Sequence, residues 1–107
     1  MTERTLTTTI LKALRAHGAW CFKVHGGPTQ EVGLPDIVGV YRERGFGLEV
    51  KRLGFDATPI QKTQLKRIRT AGGISGVVYS IEEALILLGI RAQSPEEATV
   101  STLASTR

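Results

Sequence analysis

Leu34-Pro35-Asp36-Ile37-Val38-Gly39-Val40-Tyr41, followed after a short turn by Gly45-Phe46-Gly47-Leu48-Glu49-Val50-Lys51, decides the fold of this 107-residue chain. The first run reads as a strand that starts at the aspartate, and the second as its antiparallel partner. Glu43-Arg44-Gly45 is expected to supply the turn, with Gly45 at positive φ. Side chains alternate along a strand, so Glu49 and Lys51 face one way while Leu48 and Val50 face the other. The hairpin also carries Asp36 toward Glu49. Two carboxylates and an ammonium directed at one space suit a divalent cation and a phosphate, and phosphodiester cleavage needs both.

Glu-x-Lys carries little weight by itself. With each residue at roughly 6% of an average protein, the triplet arises by chance about once in every few chains of this size. Alone it describes a solvated ion pair, and Asp36 alone describes a turn residue after Pro35. The combination is more demanding, because the other positions of both strands are apolar. Charges are seldom placed on central strands without a partner.

Outward from the hairpin, residues Thr2 to His17 set Leu6, Ile10, Ala13 and Leu14 on one helical stripe, which Gly18 stops. Ala19 to Val24 is expected to be the first strand, and His25 to Gly33 a polar, glycine-containing loop. Downstream, Thr58-Pro59-Ile60-Gln61 opens a second helix with an N-cap, a proline at the first position and a glutamine placed for a capping box. Gly72-Gly73 ends that helix, and Ile74 to Tyr79 forms a fourth strand. Ser80-Ile81-Glu82-Glu83 is a further capping box, opening a short helix that ends near Gly89. The order αβββαβα, a hairpin and then a crossover, predicts an α/β fold with a central mixed four-stranded sheet flanked by helices. Residues 1–90 read as one domain. Residues 91–107, rich in Ser, Thr and Ala, read as a flexible or loosely docked tail.

Lys and Arg number 14 against 10 Asp and Glu, giving a net charge of +4. That excess fits a polyanionic partner without requiring one. The single Cys21 cannot form an internal disulfide and is expected as a buried thiol. One cysteine and two separated histidines make no zinc set. No apolar run approaches the roughly 20 residues that span a bilayer, and no signal-peptide pattern opens the chain, so a cytoplasmic setting without membrane contact is expected.

Five segments carry a family resemblance: Lys23-Val24-His25-Gly26-Gly27, Gly33-Leu34-Pro35-Asp36-Ile37, Glu49-Val50-Lys51-Arg52, Thr58-Pro59-Ile60-Gln61 and Ala71-Gly72-Gly73. From about Phe22 to Ala84 the chain resembles the VRR-Nuc (virus-type replication-repair nuclease) branch of the PD-(D/E)xK nuclease superfamily. The resemblance implies a restriction-endonuclease-like αβββαβ core and an endodeoxyribonuclease dependent on Mg2+ or Mn2+. It also implies a homodimer acting on branched DNA, such as the four-way Holliday junctions of DNA repair, in a bacterial or phage-infected cell. A general or restriction-like nuclease without junction preference remains an alternative, as does a non-catalytic nucleic-acid-binding module that keeps the fold.

Within that frame Asp36 and Glu49 are the expected metal ligands, with the backbone carbonyl of Val50, which lies between the functional side chains, as a further one. Lys51 is expected to position the attacking water or neutralise charge building on the phosphate. Gln61 has two compatible uses, the capping box and, as the resemblance implies, the active site. Glu3, in the first turn of the first helix, either complements the helix dipole or adds an acid to the metal site, as related nucleases do. The resemblance and the glycine loop suggest substrate contact by Lys23, His25, Gly26 and Gly27. Lys62, Lys66 and Arg69 recur along the second helix as a solvated face or a phosphate track, and Arg52 is a further backbone grip.

Overall fold

Four strands form one sheet in the order β1-β2-β3-β4, built from Trp20–Lys23, Ile37–Tyr41, Arg44–Val50 and Ile74–Val78. β1 pairs antiparallel with β2, β2 antiparallel with β3, and β3 parallel with β4, so the sheet is mixed. Helices α1 (Glu3–Ala16), α2 (Pro59–Thr70) and α3 (Ile81–Leu87) complete the αβββαβα order. This is a computed structural model that describes residues 1–90; the expected tail lies outside the described residues. Among them no helix is long and apolar enough to cross a membrane.

α1 forms despite its run of threonines, which are weak helix formers because they are β-branched. Thr2 caps its first turn by accepting from the Thr5 amide at 3.1 Å. The Thr7, Thr8 and Thr9 hydroxyls each bond back to the carbonyl four residues earlier. Leu6, Ile10 and Leu14 are buried at the spacing that puts them on one face. That stripe packs with Ile37, Phe46, Leu48, Val50, Val78 and α3 residues into one core. Arg15 ties the helix to the edge strand, donating from Nε and Nη2 to the Cys21 carbonyl at 3.2 and 2.9 Å. Cys21 is buried, as expected for a core thiol.

The register separates the two faces of the sheet. Ile37 pairs with Leu48, and Gly39 with Phe46, so these residues share the face covered by α1 and α3. Gly47 lies on the opposite face, under α2. A Cβ there would come within 2.6 Å of Ile68 Cδ1 and 2.9 Å of Pro35 Cγ, so only glycine lets the helix approach this closely. Ser75 anchors α2 from below, donating its hydroxyl to the Leu65 carbonyl while accepting from Arg69. α2 contacts β3 and β4 and leaves the same face of β1 and β2 open, where Trp20, Phe22 and Val40 are exposed.

The hairpin turn differs from the sequence expectation. Arg42 and Glu43, with φ of 47° and 72°, make it, and Gly45 sits inside β3 opposite Val40. A two-residue turn matching the twist of its strands needs both central residues at positive φ. β2 also begins at Ile37, one residue after the aspartate at which the sequence pattern starts it.

Candidate active site

Asp36 precedes β2, at the end of the sheet where β1 and β3 finish. The β1–β2 ladder continues to it, because Val24 N donates to the Asp36 carbonyl at 2.8 Å. One step beyond the Ile37–Leu48 pair, Asp36 stands across from Glu49. Cross-strand neighbours share a face, so both carboxylates lie on the α2 side, as the sequence reading required.

Two interactions fix the pair. The Val50 amide donates to Asp36 Oδ2 at 2.8 Å, so the carboxylate takes the place of the next ladder partner. Glu49 is 2% exposed, and its Oε2 is buried with no hydrogen-bond partner. Burial pushes its pKa up to about 8, reinforced by the neighbouring Asp36 carboxylate; Lys51 opposes the shift and Glu3 adds to it. A carboxylate oxygen buried without a donor is costly unless something positive meets it.

That orphaned oxygen is the observation by which a divalent cation fits this site. In an extended strand the N–H and C=O of one residue project to the same edge. The Val50 carbonyl therefore shares the side of β3 on which its amide meets Asp36. Asp36, Glu49 and this carbonyl would offer a hard, all-oxygen donor set to Mg2+ or Mn2+. Among the described residues no three acidic, histidine or cysteine side chains gather into a metal cage. Glu3 is near enough for its charge to act on Glu49 but adds no third carboxylate to such a cluster.

Lys51 follows β3 directly; its amide donates to the Val78 carbonyl at 3.1 Å, holding it at the end of the sheet. Gln61 completes the capping box, with Oε1 accepting from the Thr58 amide at 2.9 Å. Its acceptor is thus committed to the cap, and its carboxamide nitrogen is the atom left for a ligand. At the start of α3 Ser80 accepts from the Glu83 amide, but Glu83 Oε1 reaches the Tyr79 amide, one residue short of the partner a capping box requires.

The remaining site residues divide. Gly26 and Gly27 line a cavity of ≈ 290 Å³ together with Val24, Gly33 and Asp36. His25 lines a neighbouring cavity with Phe22 and Val38. Lys23 pairs with Ile37 and so leaves the sheet on the α1 side, away from the face of Asp36 and Glu49. On α2, Lys62 forms an ion pair with Asp56 at 2.7 Å, Arg69 turns inward to Ser75 at 3.1 Å, and Lys66 is exposed. Arg52 stacks on the Phe55 ring at 4.8 Å. The sequence pattern does not mark Gln64, yet it is buried and its Nε2 donates to the Val32 carbonyl at 3.0 Å, fastening the glycine loop to α2.

No protein-family profile matches the sequence, and no curated protein is found similar to it. A solved structure described as "VRR_NUC domain" matches with a TM-score of 0.65 and 22% sequence identity, covering 83% of this chain and 97% of that one. The chain therefore has the fold of a VRR-Nuc domain, a restriction-endonuclease-like α/β architecture with three helices around a mixed four-stranded sheet. Function has to be argued from the site.

Proposed function

We propose that this chain is a divalent-metal-dependent endodeoxyribonuclease. The observation that carries this reading is the partnerless, buried Oε2 of Glu49 beside Asp36 and Lys51, on the face over which α2 lies. Bound there, Mg2+ or Mn2+ would polarise the scissile phosphate and lower the pKa of a coordinated water. Asp36, Glu49 and the Val50 carbonyl hold the cation, and Asp36 is itself oriented by the Val50 amide. Lys51 supplies the charge that offsets the developing phosphate oxyanion or positions the attacking water. Gln61, at the N-terminus of α2, has a free carboxamide nitrogen to donate to a phosphate, where the helix dipole also favours an anion.

The glycine loop, with His25, Gly26 and Gly27, is the expected backbone contact, extended by Lys66 on α2. Contacts of this kind grip phosphates without reading bases. Selectivity for branched DNA then rests on shape, and paired cuts on a junction rest on two sites related by a dyad. The open β1–β2 face, with exposed Trp20, Phe22 and Val40, supports a homodimer and is the surface we assign to it.

Cleavage of labelled junction, flap, splayed-arm, duplex and single-stranded DNA in Mg2+ or Mn2+ tests the reading. Asp36→Ala and Lys51→Ala are expected to bind DNA without cutting it. Metal-dependent cutting retained by either purified variant removes the assignment, and a flat profile across the panel leaves a nuclease without junction preference.

A further inference from the structure

Resting on the nuclease reading, we propose that Leu53 is a wedge that enters the base stack beside the scissile phosphate and so selects the DNA structures that are cut. Leu53 is 82% exposed, more than any other large hydrophobic residue among those described. A lone exposed leucine is ordinary on a protein surface. Its setting is not ordinary.

Arg52 to Phe55 form a tight turn, closed by Phe55 N donating to the Arg52 carbonyl at 3.1 Å, with Gly54 at φ +90° and Leu53 at the tip. Arg52 before the tip and the residues from Phe55 onward are held in place. The Arg52 guanidinium lies over the Phe55 ring, and the Tyr79 hydroxyl donates to the Phe55 carbonyl at 2.8 Å. Asp56 accepts from the Ala57 amide at 2.7 Å and pairs with Lys62 on α2. Leu53 is left outside this web, an apolar side chain displayed on a stiff mount.

The position is also specific. Leu53 lies two residues beyond Lys51, so their Cα atoms are at most about 7 Å apart. That is roughly two base steps along a duplex, at about 3.4 Å each. A turn of this type accepts almost any residue at its second position, so the turn itself does not require leucine. Apolar wedges of Leu, Ile or Phe unstack base steps, and the cost is lowest where stacking is already interrupted. A rigid mount loses little conformational freedom on insertion. Branch points are such interrupted stacks, which couples this residue to a preference for structure.

The test uses the full chain and a four-way junction and a matched duplex, each with 2-aminopurine at the base step flanking the mapped cut. Binding is followed with Ca2+ replacing Mg2+ to hold off cleavage, and turnover is then measured in Mg2+. Wild-type protein is expected to raise 2-aminopurine fluorescence at least twofold on the junction. Leu53→Ala should abolish that rise and lower the junction-to-duplex cutting ratio at least tenfold, with KM changed less than threefold and thermal stability unaltered. Leu53→Met should restore both signals. Cleavage by wild-type protein without any fluorescence change, or Leu53→Ala matching wild type in both readouts, overturns the wedge and leaves the nuclease standing. Wild-type protein that neither binds nor cuts any of these DNAs overturns both.

Discussion

The Val50 amide donates to Asp36 Oδ2 at 2.8 Å, so a side chain expected to hold a metal also closes the end of the β2–β3 ladder. The two roles separate by substitution. Asparagine keeps an acceptor for the amide but has no charge to offer a cation. Alanine leaves a partly buried N–H without a partner, and hydrogen bonds to charged groups are worth about 1.5–3 kcal/mol. Asp36→Asn is therefore expected to unfold in urea within about 1 kcal/mol of wild type, and Asp36→Ala to be weaker by the larger amount. Both should lose Mg2+-dependent cleavage. Equal unfolding midpoints for the two variants remove the structural half of this account.

Glu49 is expected to lend the metal-free protein a pH-dependent stability. Its folded pKa is about 8 against an ordinary 4.5, chiefly through burial and then through Asp36. Between those values the folded chain holds a proton that the unfolded chain has released. Stability then falls as pH rises, starting near the unfolded value and levelling off above the folded one. In EDTA, urea unfolding is expected to show this decline across pH 5–9, amounting to a few kcal/mol at the order-of-magnitude level. Mg2+ should oppose it, because a cation favours the ionised form and binds the folded chain selectively. Glu49→Gln should flatten the curve and abolish the Mg2+ effect. A wild-type curve that is level or rising over this range in EDTA contradicts the assignment.

The element order and the central pairing were legible because each signal was local. Alternation put Glu49 and Lys51 together, and the Thr58-Pro59-Ile60-Gln61 cap stands as read. Glycine is the usual residue at positive φ, which points to Gly45 for the turn, whereas Arg42 and Glu43 take that conformation. The family resemblance and the glycine loop point to Lys23 as a substrate contact, but neither shows which face it takes; its partner, Ile37, belongs to the core face. The open face was illegible for a different reason. Trp20, Phe22 and Val40 have strand composition whether covered or bare, and only the lateral position of α2 over β3 and β4 leaves them bare.

A glutamine on a helix usually faces water, so composition does not mark Gln64, although it stands beside buried Leu65 and one turn before Ile68. Its bond to the Val32 carbonyl ties α2 to the loop that delivers Asp36. A neutral hydrogen bond of this kind contributes about 1 kcal/mol. Gln64→Leu keeps the volume and removes the donor. It is expected to cost about that much stability and to raise KM for DNA several-fold with kcat nearly unchanged, because the loop and not the metal set is loosened. A fall in kcat with KM intact places Gln64 in the reaction itself.

Trp20 is 67% exposed and packs edge-on against Phe22, with ring centroids 5.4 Å apart, on the sheet face that α2 does not reach. Val40 pairs with Trp20 and adds to the same surface, and a groove lined also by Val38, Arg44 and Ile68 continues it toward α2. A stable interface needs about 800 Å² from each partner, and a flat apolar face can meet its own copy across a two-fold axis. Glu43 and Arg44 at the rim of that groove offer opposite charges to a second copy. Trp20→Glu would place a carboxylate at the centre of such a contact while leaving the core face of β1 untouched. Light scattering on a sizing column is expected to show wild-type dimer and Trp20→Glu monomer, with thermal unfolding of the monomer still cooperative. On junctions the variant should nick one strand at a time, because paired incision needs both sites in one assembly. A Trp20→Glu protein that scatters as a dimer moves the contact elsewhere on the molecule.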